Sequence, residues 1–209
     1  MKNLIIIGAG GYGRELCNFA TACHGYGTAF TLKGFIDDTP DPLGGFPGYP
    51  PVLGRIVEYA PQPGDVFICA IGDIQGRKKC TQMIESRGGE FISLICLYAT
   101  IERNSVLGRG CVVQAGVGIS CDCRIGDHVH FQGMCVVGHD VRIGSWSFLH
   151  CGAFLGGHVQ VGEGVHIYPY AVIHPGKKVG DYATLGAGSF IIRHVPSHAT
   201  MYGNPAKKL

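Results

Sequence analysis

The sequence predicts an α/β domain of half-Rossmann type followed by an all-β parallel β-helix built from hexapeptide repeats. Two observations carry this. A glycine-rich turn joins an aliphatic run to a helical segment at the start of the chain, and from position 95 an aliphatic side chain recurs at every sixth residue. The repeat begins without a linker, which sets domains at 1–94 and 95–209.

Residues 4–7 ("LIII") read as a short buried strand. "GAGGYG" follows, with Gly8, Gly10 and Gly13 in G-x-G-x-x-G register, and "RELCNFATACH" continues as a helix. "FTLKGFIDD" reads as a second strand ending at Asp37 and Asp38, and residues 40–51 ("PDPLGGFPGYPP") as a Pro/Gly loop. "DVFICAIGD" is a third strand, "GRKKCTQMIESRG" a helix, and "EFISLI" a fourth strand leading into the repeats. Strand, glycine turn, helix, strand and acid make a nucleotide-binding fingerprint. The helix N-terminus offers N–H groups to phosphate oxygens, and glycine lets the backbone come close. A dinucleotide needs two such halves, and the residues before position 95 make room for one. A single nucleotide, carried by a nucleotide-sugar, is therefore favoured over a nicotinamide cofactor.

The repeat column runs Ile95, Ile101, Leu107, Val113, Ile119, Ile125, Phe131, Val137, Ile143 and onward to Ile191, with Phe131 its one departure from Val, Ile or Leu. Four residues later comes a column of small or β-branched residues, among them Cys111, Cys123, Cys135, Val141 and Ser147. Glycine often follows the aliphatic residue, as at Gly108, Gly126, Gly138 and Gly144, where it is expected to supply turn conformations. Three hexapeptides close one triangular coil. The cysteines in the small column read as compact packing residues.

Charged residues are 15% of the chain and the net charge is +2, with no basic run longer than Arg77–Lys79, which argues against nucleic acid. No stretch approaches a membrane span and the N-terminus lacks a signal h-region, so a cytoplasmic location is expected. Ten cysteines without a C-x-x-C pair argue for reduced structural thiols and no metal site.

"IIGAGGYG" at 6–13, "FIDD" at 35–38, "AIGD" with "RKK" at 70–79, "GHD" at 138–140 and "GNPAK" at 203–207 together resemble the bacterial hexapeptide-repeat sugar acetyltransferases. The likeness is to the enzymes acting on nucleotide-linked 4-amino-sugars and to their sialic acid O-acetyltransferase relatives, and it spans essentially the whole chain. It implies that the β-helix is left-handed, that acetyl-CoA is the co-substrate, and that active sites lie between subunits of a homotrimer. By the same resemblance Gly11, Tyr12 and Gly13 meet the nucleotide phosphates, Asp37 and Asp38 lie near the nucleoside, and Gly72 and Asp73 close that pocket. Tyr12 stands where some relatives carry histidine. His139 and Asp140 match the catalytic base and its carboxylate. Acetyl-CoA would lie near Phe148, Gly157, Pro169 and Ala187. Relatives can carry a second histidine at the position of Phe148; His150, two residues on and on the same strand face, is a candidate to replace that contact.

The chemistry asks for such a pair, because an attacking amine or hydroxyl must lose a proton and imidazole titrates near neutral pH. His139 and Asp140 occupy repeat positions that the two structural columns leave free, so the fold is expected to tolerate them without requiring them. Three readings follow: N-acetylation of a nucleotide-linked amino-sugar in surface-glycan synthesis, O-acetylation of sialic acid or another sugar hydroxyl, and a non-catalytic scaffold. Hexapeptide-coil carbonic anhydrases place two zinc-binding histidines five residues apart, and no two of the ten histidines here have that spacing.

Overall fold

In the computed structural model, which describes residues 1–209, the chain divides into two units, residues 1–96 and 97–209. The first contains β1 (Lys2–Ile7), α1 (Gly11–Ala20), β2 (Phe30–Ile36), β3 (Asp65–Cys69), α2 (Ile74–Glu85) and β4 (Glu90–Phe91). Its four strands are parallel in the order β2-β1-β3-β4. Leu4, Ile5, Ile6 and Ile7 are all fully buried, as a central parallel strand covered on both faces requires. Each such side chain contributes roughly 1.5–3 kcal/mol through burial. One cluster of that core joins Ile5, Ile7 and Ile36 to Phe67, Ile84 and Phe91.

The elements are shorter than the sequence suggests. β2 stops at Ile36 because Asp37 turns its carboxylate onto the Ala9 amide (2.7 Å). β3 stops at Cys69, and Asp73 becomes the N-cap of α2, accepting from the Gly76 amide at 2.6 Å. "EFISLI" divides into two short strands, Glu90–Phe91 and Leu94–Ile95.

The second unit is a coil of two-residue strands. Arg124 pairs with Arg142, His130 with Phe148 and Val136 with Phe154, each on a different parallel sheet. Partners are eighteen residues apart, so three hexapeptides make one turn. The aliphatic column points inward, with Val113, Phe131, Leu149 and Ile167 fully buried. Cys111, Cys123 and Cys135 are fully buried as well, and all ten cysteines are free thiols. Their Sγ atoms donate to backbone carbonyls of Gly126 (3.3 Å), Gly138 (3.2 Å) and His150 (3.1 Å). Ser147 does the same to Gly162 at 3.1 Å. Burial pushes the Cys135 thiol up to about 12, so it stays protonated.

The turn glycines correct the sequence reading. The left-handed backbone falls two residues beyond the glycine column, where residues other than glycine commonly stand: Asn104, Asp122, Asp140 and His158 have φ of 63°, 61°, 59° and 59°. Asparagine, aspartate and histidine enter that region more easily than most residues. The glycines at 108, 126, 144 and 180 answer a different need, because the next coil passes too close for a side chain. A Cβ on Gly144 would lie 2.5 Å from the carbonyl of Gly162, and one on Gly126 would lie 2.6 Å from the Ser145 amide nitrogen.

The period fails in the last turn, where Leu185 pairs with Met201, sixteen residues on. Residues 200–202 then fold back antiparallel on 207–208.

Candidate active site

Position 139 follows the strand Val136–Val137, at the corner where one sheet of the coil gives way to the next. His139 Nδ1 and Asp140 Oδ2 are 2.8 Å apart, with the two side chains about half exposed. An ionised carboxylate only accepts, so Nδ1–H donates to Asp140 and Nε2 is left as the basic nitrogen. The hydrogen bond from His139, together with the nearby His158, holds the Asp140 carboxyl below the usual carboxylate range. Asp140 therefore stays ionised at neutral pH and keeps the imidazole tautomer fixed.

Gly157 stands next to that free nitrogen. A Cβ there would lie 2.7 Å from His139 Nε2, so glycine leaves the space in which the ring sits. His158 lies one coil beyond Asp140. Its amide donates to the His139 carbonyl (2.9 Å), its ring meets the His139 ring edge-on at 4.9 Å, and its Nδ1 is 3.9 Å from Asp140 Oδ2. A hollow of about 330 Å³ opens beside His139, with Gly138, Ser120 and Glu102 in its wall. Ser120 Oγ donates to Glu102 Oε2 at 3.1 Å. Motif reading along the chain missed His158, Glu102 and Ser120. The eighteen-residue stacking would have found them, since 102, 120 and 138 share one column and 140 and 158 another.

The other expected acetyl-CoA positions do not gather at this corner. Phe148 is buried on the preceding sheet, 5.5 Å from the His130 ring and 4.6 Å from the His150 ring, centroid to centroid. His150 stacks on Tyr168 (4.8 Å), and its Nδ1 is 3.1 Å from Gln132 Oε1. Pro169 and Ala187 lie one above the other at the far edge of that sheet, where the Gly188 amide donates to the Pro169 carbonyl (2.9 Å). At the end of the coil a cavity of about 340 Å³ has Ile191 and Met201 in its wall together with Arg193, His194, Lys207 and Lys208.

In the first unit the glycines divide by cause. Gly13 is required by the protein, since a Cβ would lie 1.9 Å from the Gly8 carbonyl oxygen. Gly10, Gly11 and Gly72 are not, for no atom lies within 4 Å of where their Cβ would be. α1 starts at Gly11 with no side chain capping its end, so the first-turn amides at Gly11, Tyr12 and Gly13 form an anion-accepting terminus. Burial pushes the Tyr12 phenol well above its ordinary range against the opposing pull of Arg77, so it stays neutral. The acids are engaged within the protein. Asp37 accepts from the Ala9 and Thr39 amides, Asp38 from Val57 (3.2 Å), and Asp73 caps α2. Two contacts that the sequence did not reveal fasten the 40–51 loop to α1: the Arg14 guanidinium lies 3.5 Å above the Phe46 ring, and Asn18 reaches the Tyr49 hydroxyl.

Residues 3–84 match the PglD N-terminal domain family, and residues 158–193 match the bacterial transferase hexapeptide (six repeats) family. No curated protein matches the chain. Among solved structures, the acetyltransferase domain of PglB from Neisseria gonorrhoeae is 30% identical over 100% of both chains, with a TM-score of 0.90. PerB from Caulobacter crescentus, solved with CoA and GDP-perosamine, is 29% identical over 100% of this chain and 98% of its own, with a TM-score of 0.89. WeeI from Acinetobacter baumannii shares the fold at 23% identity, covering 100% of both chains with a TM-score of 0.80. With a glycine-turn nucleotide fold, a left-handed hexapeptide coil and relatives of this kind, the chain is an acyltransferase and belongs to the bacterial hexapeptide-repeat sugar acetyltransferases with a PglD-type N-terminal domain.

Proposed function

We propose that the protein transfers the acetyl group of acetyl-CoA to the 4-amino group of a nucleotide-linked sugar, in surface-glycan synthesis in the cytoplasm, with His139 as general base. The observation that carries the reading is the His139–Asp140 pair, whose ring, with Nε2 as its basic nitrogen, sits in the space that glycine at 157 leaves for it. As the amine nitrogen bonds to the thioester carbonyl carbon, Nε2 takes an N–H proton, and Asp140 stabilises the imidazolium. When the tetrahedral intermediate collapses, the C–S bond breaks and the imidazolium returns the proton to the leaving thiolate. General base action of this kind is worth about 10²–10⁴-fold.

The nucleotide-sugar phosphates meet the first-turn amides of α1 at Gly11, Tyr12 and Gly13, and the empty space over Gly11 supports that approach. Asp37 shapes the loop from beneath, Asp38 lies near the nucleoside, and Gly72 and Asp73 close the pocket. Acetyl-CoA runs past Gly157, Pro169 and Ala187, with Phe148 beneath its path. Arg193, Lys207 and Lys208 supply positive charge for its phosphates. Gly157 lies one sheet away from Pro169 and Ala187 on a single coil, and this separation supports a homotrimer in which neighbouring copies each contribute an edge.

The relatives favour nitrogen over oxygen as acceptor. The PglB domain was solved with acetyl coenzyme A, and the perosamine N-acetyltransferase from Caulobacter crescentus was solved with CoA and GDP-perosamine in a variant with one histidine replaced by asparagine. The test is CoA release from acetyl-CoA with UDP-, dTDP- and GDP-linked 4-amino-sugars and with sialic acid. Release with an amino-sugar alone is the expected outcome, release with sialic acid alone selects the O-acetylation reading, and release with none overturns both. His139→Ala keeps the assembly state in sedimentation and loses about 10²–10⁴-fold in kcat. Near-normal turnover would remove His139 from its role.

A further inference from the structure

The coil corner that carries the base holds more nitrogen and oxygen than proton transfer needs. His139, Asp140 and His158 each present one ligand atom, and these atoms all lie within 4.8 Å of one another. Two of the distances are 2.8 Å, His139 Nδ1 to Asp140 Oδ2, and 3.9 Å, His158 Nδ1 to the same oxygen. Ligands about 2.0–2.1 Å from a tetrahedral zinc ion are themselves about 3.3 Å apart, a value these two distances bracket. The remaining adjustment falls on exposed side chains that can turn. The backbone beneath them is fixed, because the His158 amide donates to the His139 carbonyl (2.9 Å) and the Asp140 amide to the Cys121 carbonyl (3.1 Å). Above His158 the column continues with Gly176, which has no atom within 4 Å of where a Cβ would be, so a hydrated ion can reach the corner from that side.

We propose that His139, Asp140 and His158 form a binding site for Zn²⁺, and that occupancy blocks acetyl transfer by engaging the base. Two imidazoles and one carboxylate suit a borderline-soft transition ion and leave a fourth position to water. They suit Mg²⁺ and Ca²⁺ poorly, since those ions demand more oxygen ligands. The inhibitory part rests on the reading of His139 as general base, whereas binding depends only on the three side chains.

Calorimetric titration of the full chain with ZnCl₂, without substrates, reads binding by itself. One ion per chain is expected. Affinity should weaken about tenfold or more in His158→Ala and in His139→Ala, each checked for fold by circular dichroism. MgCl₂ under the same conditions should give no binding heat. Zinc binding that is unchanged in both variants, zinc binding that is absent from the parent chain, or magnesium binding as tight as zinc would each overturn the site. The second arm is CoA release with and without zinc. With each protein's turnover expressed relative to its own rate in chelator, His158→Ala needs about tenfold more zinc than the parent chain for half inhibition. Zinc bound at this corner with turnover unaffected would overturn the blocking role. Absence of turnover in chelator would instead count against the acetyltransferase reading and leave the calorimetry standing.

Discussion

Gly10 and Gly11 before the first helix and Gly126 and Gly144 in the coil look alike in the sequence and stand there for opposite reasons. Around Gly10, Gly11 and Gly72 there is empty space, and the protein itself would accept a side chain. At Gly126, Gly144 and Gly180 the next coil already occupies the place, with backbone atoms 2.4–2.6 Å from where a Cβ would be. At Gly11 the open space lies over an uncapped helix end, whereas the filled space at the coil glycines is packing. Gly157 is intermediate, because the His139 side chain occupies its space.

Substitution by alanine breaks this comparison in graded steps. Gly144→Ala should have the largest effect on stability, about 2–4 kcal/mol, because backbone must move to admit the methyl group. A fall in melting temperature by circular dichroism checks it, and an unchanged transition would remove the packing argument. Gly157→Ala should leave stability within about 0.5 kcal/mol, since the His139 side chain can swing aside, yet turnover should fall about 10²-fold through the displaced base. Gly11→Ala should leave stability unchanged or raise it by up to about 1 kcal/mol, seen as a melting temperature that does not fall, while KM for the nucleotide-sugar rises. A drop in stability there with KM unchanged would place Gly11 with the packing glycines.

A smaller effect separates the two units by pH. Asp65 is buried in β3 and bonded to Lys33 (2.7 Å) and the Tyr59 hydroxyl (2.8 Å). Burial alone would raise its carboxyl, but the hydrogen bonds from Lys33, the Gln62 amide and Tyr59 outweigh it and hold the carboxyl below its ordinary value. A depressed carboxylate contributes stability above its unfolded pKa of about 3.9, and that contribution is lost as pH falls through the folded value. The melting temperature of the first unit should drop below about pH 4, and Asp65→Asn should flatten this dependence from a lower starting point. The smallest change expected is Cys123→Ser, under about 1 kcal/mol, because Ser147 already fills the equivalent place with the same bond to a coil carbonyl.

Much of the fold was legible because its repeat is one-dimensional. A column of aliphatic residues at every sixth position has no other compact solution, and the aliphatic run before Gly8 reads as a buried strand on hydrophobicity alone. The site was legible in part. His139 stood out because the two structural columns leave its position free. Asp140 was read as equally free, yet it occupies the left-handed column (φ 59°), where the backbone itself favours aspartate, asparagine, histidine or glycine. Its identity therefore carries less functional information than its neighbour's. His158, Glu102 and Ser120 were missed because they reach the corner from other coils, and a motif read along the chain does not look eighteen residues away. The roles of Asp37 and Asp73 as clamp and cap could not be read either, since a strand-end acid has the same sequence pattern whether it faces a ligand or the backbone.

The short last turn also has a bearing on solubility. A coil of parallel strands has an exposed ladder at its growing end on each of three sides, and an exposed ladder recruits other chains. Here the tail occupies all three. Val195 bridges to Val179 on one side, residues 200–202 cover Thr184–Leu185 on the second, and the Gly203 carbonyl and the Ala206 amide pair with Phe190 on the third. The antiparallel strand at 207–208 then closes the second side with two lysines, Lys207 and Lys208, whose charges repel a like neighbour. The tail that carries these lysines thus also keeps the solenoid from lengthening into a fibre.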